Sequence, residues 1–191
     1  PEVVRLQFAL GAAPEFAPRY NVCPGAPILA VRGAPARAEL LPWGAKPPNA
    51  RGETVAEKPM FASAFRGFRC LVPASGFFEW KSAGGRKQPY YISPGENSLF
   101  GLAGIVVLWK GERRIALITT APNELMREIH DRMPVIVPRE DYAAWLDPRD
   151  HDARGLLRAY PAERMRAHPV SPRVNRPEHD DPALIESITA A

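Results

Sequence analysis

The sequence predicts an α+β fold: a single domain with a curved, mostly antiparallel, barrel-like β-sheet and short helices at its periphery. Most apolar runs are short and end at Gly, Pro or polar turn residues, as the strands of an antiparallel sheet do. The 22 prolines favour short elements and fixed turns over long helices. A chain of 191 residues is long enough to bury one sizeable core, so we expect one domain spanning residues 1–191.

The N-terminal region predicts a helix. Residues 1–10 begin with Pro and Glu and place Val3, Leu6 and Leu10 on one apolar stripe. A helix that begins at Pro1 needs a capping residue before it, and the chain has no initiator Met, so we expect further residues upstream. A processed N-terminal proline that acts as an amine nucleophile is the alternative interpretation.

The remaining elements follow from apolar runs, from amphipathic spacing and from the turn residues that end them. Strands are expected at residues 28–31, 39–44, 70–80, 88–92, 99–109, 115–120 and 135–137. Helices are expected at residues 57–68, 123–129, 140–146 and 154–160, with an extended basic tail at 168–175. A basic turn at residues 81–87 joins two of the strands into a predicted hairpin.

The charge of the chain indicates a partner that carries phosphate groups. The net charge is +4 with a pI near 9.3, and 20 of the 25 basic residues are Arg, whose planar fork suits phosphate. A solvated basic surface is the alternative. No apolar run is long enough to span a membrane, and we expect no signal peptide.

The two cysteines argue against a zinc site or a disulfide framework. Cys23 and Cys70 form no CxxC motif and have no metal-binding His spacing, which fits a reducing cytoplasm. Cys23 could act as a thiol nucleophile with His130. Its Pro-rich loop offers no basic or helix-N-terminal surroundings, so a small packing residue is the favoured interpretation.

Glu79 lies in the most unusual stretch of the chain, the largely apolar residues 70–80, which bend at a Pro and a Gly. A carboxylate between Phe78 and Trp80 is costly unless it is paired, protonated or at the mouth of a cavity. Burial raises the pKa of such an acid, which suits a general acid or base. The alternative is simple strand alternation, with Glu79 in solvent between two inward rings.

His130 is the second candidate for proton transfer. It ends a predicted helical turn, is flanked by Asp131 and Arg132, and precedes a strand. A His in this position can exchange protons near neutral pH. A capping or otherwise structural His is the alternative.

A polar cluster at residues 49–54 is a candidate binding loop. Asn49 offers a donor and an acceptor, and Arg51 lies on the same side of an extended backbone, which suits a phosphate or carbonyl group. A turn with a helix cap, or an ion pair between Arg51 and Glu53, explains the same residues without function. Trp43, just upstream, either packs in the core or stacks on a base.

Several short motifs resemble the SOS response-associated peptidase (SRAP) family and occur in its order. They are RYN with Pro24 (19–24), WG (43–44), NAR with ET (49–54), CLVPA with GFFEW (70–80), KQPY (87–90), HDRMP (130–134) and PVS with VN (169–175). The resemblance covers nearly the whole chain, and the GFFEW and HDRMP stretches are its most specific parts.

The resemblance implies a sensor of abasic sites in single-stranded DNA that acts in the SOS response. Family members begin Met-Cys-Gly-Arg, and removal of the Met exposes a Cys with a free α-amine beside its thiol. An α-amine with a pKa of roughly 7.7–8 is partly unprotonated at neutral pH and can attack the aldehyde of an opened abasic site. The thiol then closes a thiazolidine crosslink. The resemblance also implies peptidase-like removal of the Met, with lyase action on DNA as a further possibility.

The resemblance assigns roles to residues of this chain. As catalytic groups it implies Glu79 as the acid/base, His130 as the second proton-transfer group, and Asn49 as the partner of nucleophile and sugar. As DNA contacts it implies Arg51, Arg132, Trp43 and Trp80. It implies no metal, no organic cofactor, a monomer, no membrane association, and a bacterial cytoplasmic location at the nucleoid when DNA is bound.

The chain departs from the family pattern in two places. The nucleophilic Cys is absent from residues 1–191, and the spacer between Trp43 and Asn49 is short and lacks a second Trp. A non-catalytic single-stranded DNA-binding module without the nucleophile is therefore one alternative function. A thiol hydrolase that uses Cys23 and His130 is the other.

Overall fold

The computed structural model describes residues 2–95, 99–150 and 152–188, which form short helices and strands. The helices are α1 (Glu2–Gln7), α2 (Pro59–Gly67), α3 (Glu124–Arg127) and α4 (Tyr142–Leu146). The strands are β1 (Pro27–Arg32), β2 (Arg37–Pro42), β3 (Asn49–Arg51), β4 (Arg69–Ala74), β5 (Phe77–Ala83), β6 (Arg86–Pro94), β7 (Phe100–Trp109), β8 (Glu112–Thr120), β9 (Met133–Pro134), β10 (Ile136–Val137) and β11 (Met165–Pro169). Short 3₁₀ turns occupy Arg139–Asp141, Arg154–Leu156, Ala162–Arg164, Pro172–Asn175 and Pro182–Ile185.

The strands of the described residues form two open sheets, which confirms the predicted α+β class. The larger sheet has the order β2-β1-β4-β7-β8-β3, with β10 also pairing with β7 and β9 with β8. The smaller sheet has the order β11-β6-β5. Named strands pair antiparallel except β3 and β8, which are parallel. The predicted barrel-like curvature thus takes the form of two sheets rather than one closed sheet.

The chain passes from one sheet to the other at Ser75 and Gly76, between β4 and β5. A Cβ on Gly76 would lie 2.4 Å from both the Ile92 carbonyl oxygen and the Tyr91 ring, so this crossing requires a glycine. It is the bend predicted within residues 70–80. Its consequence is that Glu79 lies on the small sheet, while Asn49 and Arg51 lie on the large one.

Three apolar clusters hold the layers together. The first covers the face of the large sheet beneath α2 and α4. The second lies between the sheets, because it contains Ile92 and Phe77 of the small sheet together with Ile115 and Leu102 of the large one. The third covers the outer face of the small sheet with residues from the C-terminal segment. Both faces of both central layers are therefore covered, and a functional group can lie at the rim of the space between the sheets.

The apolar stripe predicted for the N-terminal helix is wrong, because helix α1 buries a different face. Val3 and Leu6 are 58% and 63% exposed, whereas Val4 and Phe8 are buried. The cause is the way the helix is anchored: the Gln7 side chain donates to the carbonyl of Leu99 at 2.7 Å and accepts from its amide at 3.0 Å. This contact turns the Val4 side of the helix toward the core.

Two further expectations are corrected. Residues 49–51 form a strand rather than a loop, because β3 adds to the open edge of β8. The tail predicted to be extended over 168–175 is a strand only to Pro169, and then turns as a 3₁₀ helix at Pro172–Asn175. Proline at the first turn position favours that 3₁₀ helix, since it fixes φ and lacks an amide donor.

Arg69 is a buried cation that ties α2, β4 and the segment after α4 together. Its guanidinium lies near the rings of Phe65 and Trp145, with its central carbon 5.9 and 5.6 Å from the ring centroids. All its nitrogens donate to backbone carbonyls, those of Phe65, Arg66, Trp145, Asp147 and Asp150, at 2.7 to 3.3 Å. The charge is therefore solvated by the backbone instead of by water or a carboxylate.

Asn21 joins the N-terminal loop to the C-terminal segment. It is buried, and its side-chain amide lies 3.1, 3.2 and 3.0 Å from the carbonyls of Val174, Arg176 and His179. Its backbone amide donates to Asp180 at 2.9 Å. We call these contacts the Asn21 clasp. The clasp holds the C-terminal segment over the outer face of the small sheet.

Replacing Asn21 by Ala is expected to lower the free energy of unfolding by about 2 kcal/mol, because buried carbonyls lose their donor. Urea denaturation measures this loss as a lower midpoint with an unchanged slope. Glu178→Gln is the matched control, since Glu178 is exposed on the same segment. Equal midpoints for the two variants would contradict the clasp.

Candidate active site at the rim between the two sheets

Strand β3 presents Asn49 and Arg51 to the space between the sheets. In the parallel pairing with β8, Asn49 is opposite Leu117 and Arg51 is opposite Thr119. Paired residues of neighbouring strands point to the same side, and Leu117 packs in the cluster between the sheets. Both side chains are exposed, with buried Ala50 between them on the other face. The predicted common side for Asn49 and Arg51 is confirmed.

Trp43 lies on the same edge of β8, two residues of β8 before the partner of Asn49. It forms an isolated parallel bridge with Ile115, which is also in the cluster between the sheets. The indole N–H of Trp43 is buried and has no hydrogen-bond partner among the described residues. Trp43, Asn49 and Arg51 therefore follow one another along a single edge of β8.

Strand β5 places Glu79 on the opposing side of the same space. Phe77 packs in the cluster between the sheets, so Glu79, two residues on, shares that face. Phe78 and Trp80 point the other way, into the cluster covered by the C-terminal segment. The Glu79 side chain is 23% exposed. The alternative that Glu79 points into open solvent is wrong, because most of its side chain is buried on the face of β5 that packs against the other sheet.

His130 lies directly against Glu79. The His130 Nε2 is 3.9 Å from Glu79 Oε2, and the backbone amide of His130 donates to Met126 at the end of α3. Burial raises the pKa of Glu79, while a charged His130 and the Trp80 backbone amide oppose that rise. The carboxyl group is thus held close to a proton-exchanging ring and can carry a proton at higher pH than an ordinary Glu.

The tautomer of neutral His130 depends on its neighbours. The Arg132 backbone amide donates to His130 Nδ1 at 3.1 Å, which favours the tautomer with the proton on Nε2, whereas the Arg132 carbonyl oxygen, 3.3 Å from Nδ1, would favour the other. The Nε2 proton is on the side of Glu79. When the ring takes a second proton, the Asp131 carboxylate at 3.2 Å from Nδ1 can accept it as a hydrogen bond. The pair can therefore pass protons between Glu79 and the open rim.

Arg132 fixes the His130 loop to the large sheet. Its Nη1 and Nη2 donate to the two carboxylate oxygens of Glu53 at 2.6 and 2.9 Å, and Nη2 also donates to the Thr119 carbonyl at 2.7 Å. The fork lowers the pKa of Glu53. Arg132 is predicted as a DNA contact, and in this structure its guanidinium is used within the protein. The alternative ion pair of Glu53 with Arg51 is replaced by this one.

Trp80 is anchored by the C-terminal segment. Its indole N–H donates to the side-chain oxygen of Asn175 at 2.7 Å. Phe78 and Trp80 pack in the same cluster as Val170 and Val174. The ring is thus held by its polar atom and packed on one side, and it remains partly exposed at the edge of the small sheet.

The cysteines lie apart from this pair. The Cys23 sulfur is 4.0 Å from two oxygens of Asn21, and its hydrogen bonds within the described residues do not reach His130. Cys70 is fully buried, which raises its pKa to about 12. Residues 2–95, 99–150 and 152–188 contain no group of three His, Cys, Asp or Glu side chains suited to a metal ion. None of their helices is long and apolar enough to cross a bilayer.

The structure brings two of the predicted residues into contact and adds two partners that sequence reasoning missed. Glu79 and His130 touch, and the Arg132 ion pair connects the His130 loop to the end of β3. Glu53 and Asn175 were missed as anchors of Arg132 and Trp80. Their only sequence signal is that both are polar residues inside the motifs that carry the family resemblance.

Fold and site together define an α+β protein in which an acid and an imidazole lie side by side between two sheets. The edge of the larger sheet presents an amide and a guanidinium that forms no ion pair with the described residues. A family model confirms the resemblance found in the motifs. It describes the SOS response associated peptidase (SRAP) and matches residues 2–177. The chain belongs to the SRAP family.

Individual relatives agree with this membership. The abasic site processing protein YoqW of Bacillus subtilis (strain 168) is 39% identical over 196 residues, covering 91% of this chain and 88% of that protein. The abasic site processing protein HMCES of Xenopus tropicalis is 34% identical over 166 residues, covering 73% of this chain and 50% of that protein. A crystal structure of a Bacteroides thetaiotaomicron protein matches with a TM-score of 0.75 at 29% identity, covering 90% of this chain and 82% of that one.

Proposed function

We propose that this protein senses abasic sites in single-stranded DNA and joins itself to them through an N-terminal Cys of the full-length chain. The observation that carries the proposal is the contact between Glu79 and His130, 3.9 Å apart, at the rim that also presents Asn49 and Arg51. The names of the relatives point to the same substrate. An acid–base pair beside a cation is what opening a sugar next to a phosphate requires.

The proposed reaction needs two bond-forming steps. The sugar of an abasic site opens to an aldehyde, and the α-amine of the Cys adds to its carbonyl carbon to give a carbinolamine. Loss of water yields a Schiff base. The thiol then adds to the same carbon, and its proton passes to the nitrogen, which closes a thiazolidine ring. Protein and DNA are joined with the net loss of one water.

Glu79 and His130 supply the proton transfers of this sequence. Protonated Glu79 donates to the ring oxygen as the sugar opens, and to the hydroxyl that leaves as water. His130 takes a second proton at Nδ1, beside Asp131, and the resulting imidazolium returns its Nε2 proton to the Glu79 carboxylate. The same acid and base would assist hydrolysis of the peptide bond after an initiator Met. A lyase reaction would begin from the same Schiff base.

Binding falls to the groups along the edge of β8. Asn49 can hold the sugar hydroxyl or the amine through its amide, and Arg51 can hold the adjacent phosphate as a bidentate donor. Trp43 and Trp80 would border the strand, where bases stack on aromatic faces. Arg132 would act chiefly by positioning His130, with any phosphate contact secondary to its ion pair with Glu53.

The test is the intact mass of the full-length protein before and after incubation with single-stranded DNA that carries one abasic site. We expect a heat-stable adduct whose mass is the sum of protein and DNA minus one water. The matched control is the same oligonucleotide with a tetrahydrofuran residue, which has no aldehyde. If the protein binds both oligonucleotides but forms no adduct, the proposed function is wrong and the protein is a non-catalytic DNA-binding module.

Replacing Glu53 by Gln separates the two roles of Arg132. The variant loses the ion pair that holds the His130 loop, so we expect adduct formation to slow about 10-fold to 100-fold through misplacement of the ring. Affinity for single-stranded DNA should be unchanged or slightly higher, since a negative charge is lost. Single-turnover rates and fluorescence anisotropy measure the two quantities. A clearly higher affinity with an unchanged rate would show that Arg132, released from Glu53, acts as a DNA contact.

A further inference from the structure

The hairpin of β5 and β6 extends from the site and carries an unbalanced basic charge. Lys81, Arg86 and Lys87 lie toward its tip, and Glu79 is the only acid in residues 77–94. None of the three bases forms an ion pair with an acid of the described residues. Arg86 and Lys87 are exposed and Lys81 is half-buried. The charge is therefore available to a ligand.

The pairing register divides these bases between the two faces of the hairpin. Lys81, two residues after Glu79, lies on the Glu79 face. Arg86 lies on the same face of β6 as Tyr90, the partner of Glu79, whereas Lys87 is opposite Ser82 on the other face. Lys81 and Arg86 thus continue the face that contains Glu79. Lys87 offers the same kind of charge in nearly the same place, but on the opposite side.

The distances along the strand place the two bases in a line leading away from Glu79. At about 3.3 Å per residue, Lys81 lies roughly 7 Å and the strand position opposite Arg86 roughly 13 Å from Glu79. Strand β5 is an edge of the small sheet in the described residues, so this face is open along one side. Gly84 and Gly85, with φ of 56° and 79°, form the tight turn that keeps the hairpin extended to its end.

We propose that Lys81 and Arg86 form a second phosphodiester site, which holds the backbone of the DNA strand on one side of the reacting sugar. The inference rests on the proposed function, since it takes the strand to pass through the rim at Glu79. The Arg86 guanidinium can grip a phosphate with two parallel donors, and the Lys81 ammonium attracts its neighbour as a point charge. Neither contact reads a base, so the site accepts any sequence.

The test compares four single variants of the full-length protein: Lys81→Gln, Arg86→Gln, Lys87→Gln and Lys110→Gln. Lys110 is exposed at the tip of the β7–β8 hairpin and controls for net charge. Affinity for single-stranded DNA is measured by anisotropy at several salt concentrations. The first two variants should lower the slope of log K against log salt by about 0.7 each, while the two controls leave it unchanged.

Oligonucleotides shortened on the 5′ or the 3′ side of the abasic site show which flank the hairpin binds. Removing the bound flank should abolish the difference in affinity between wild type and Arg86→Gln, and removing the other flank should leave that difference unchanged. Equal slopes for all four variants would overturn the second site, as would a Lys87→Gln effect equal to that of Arg86→Gln. The binding results do not depend on adduct formation. If the wild type forms no adduct but Lys81→Gln and Arg86→Gln bind DNA more weakly, the hairpin site stands and the crosslinking function is refuted.

Discussion

Replacing Glu79 by Gln is expected to slow adduct formation roughly 10²- to 10⁴-fold, the usual contribution of a general acid or base. Gln keeps the shape and the hydrogen-bonding reach of the side chain but cannot exchange a proton. Single-turnover kinetics with an abasic oligonucleotide measures the rate. Glu163→Gln, an exposed glutamate on the Ala162–Arg164 turn, is the matched control and should react like the wild type.

The same substitution is expected to leave the protein as stable as the wild type at neutral pH, or more so. Because burial raises the folded-state pKa of Glu79 above 4.5, the folded protein holds this proton more tightly than the unfolded chain does. The wild type therefore loses stability as the pH rises from about 4.5 through the folded-state pKa, and Glu79→Gln lacks that loss. Denaturation of both proteins across this pH range gives the difference. A variant that is slow because it is unfolded, or one that is both stable and fast, would contradict the assigned role.

Replacing Arg69 by Met is expected to lower the free energy of unfolding by roughly 3–5 kcal/mol, a large part of the stability of an ordinary domain. Met fills much of the space between the rings of Phe65 and Trp145 but removes the side-chain donor from five carbonyl oxygens, of which only that of Asp147 keeps a backbone donor, the Asp150 amide at 3.2 Å. Arg69→Lys should recover only part of the loss, because an ammonium has three donors instead of the planar five.

Urea denaturation with a constant slope measures the effect of these Arg69 substitutions. Arg66→Gln is the control: Arg66 is exposed, and it lies at the end of α2, three residues before Arg69. Its substitution should change the free energy of unfolding by less than about 0.5 kcal/mol. An Arg69→Met protein as stable as the wild type would mean that water takes over the role of the guanidinium.

The sequence was sufficient to single out the two side chains that the structure brings together in the candidate site. An acid among aromatic residues and a His before a strand are signals that local reasoning can find, and the structure places them 3.9 Å apart. It was also predictable that the side chains of Asn49 and Arg51 point to the same side, since this depends only on an extended backbone. These features are local, which is why the amino-acid pattern reveals them.

The features that depend on distant partners could not be predicted. Which face of β5 carries Glu79 inward depends on the crossing at Gly76, and the pairing of Glu53 with Arg132 depends on how β3 adds to β8. The stripe on α1 failed for the same reason, because the anchoring of Gln7 to Leu99 spans 92 positions in sequence. Such contacts follow from the assembled sheets and leave no local periodicity.

The crossing at Gly76 has a consequence for how the protein could be assayed. Because it puts Glu79 on one sheet while His130 lies just before β9, which pairs with β8 of the other, the two side chains meet only when both sheets are in place. Any state in which the sheets separate loses the contact between Glu79 and His130 before it loses its secondary structure. The rate of the proposed reaction would therefore report the docking of the two layers, and during partial denaturation it would follow the assembly of the whole molecule rather than the integrity of a single strand.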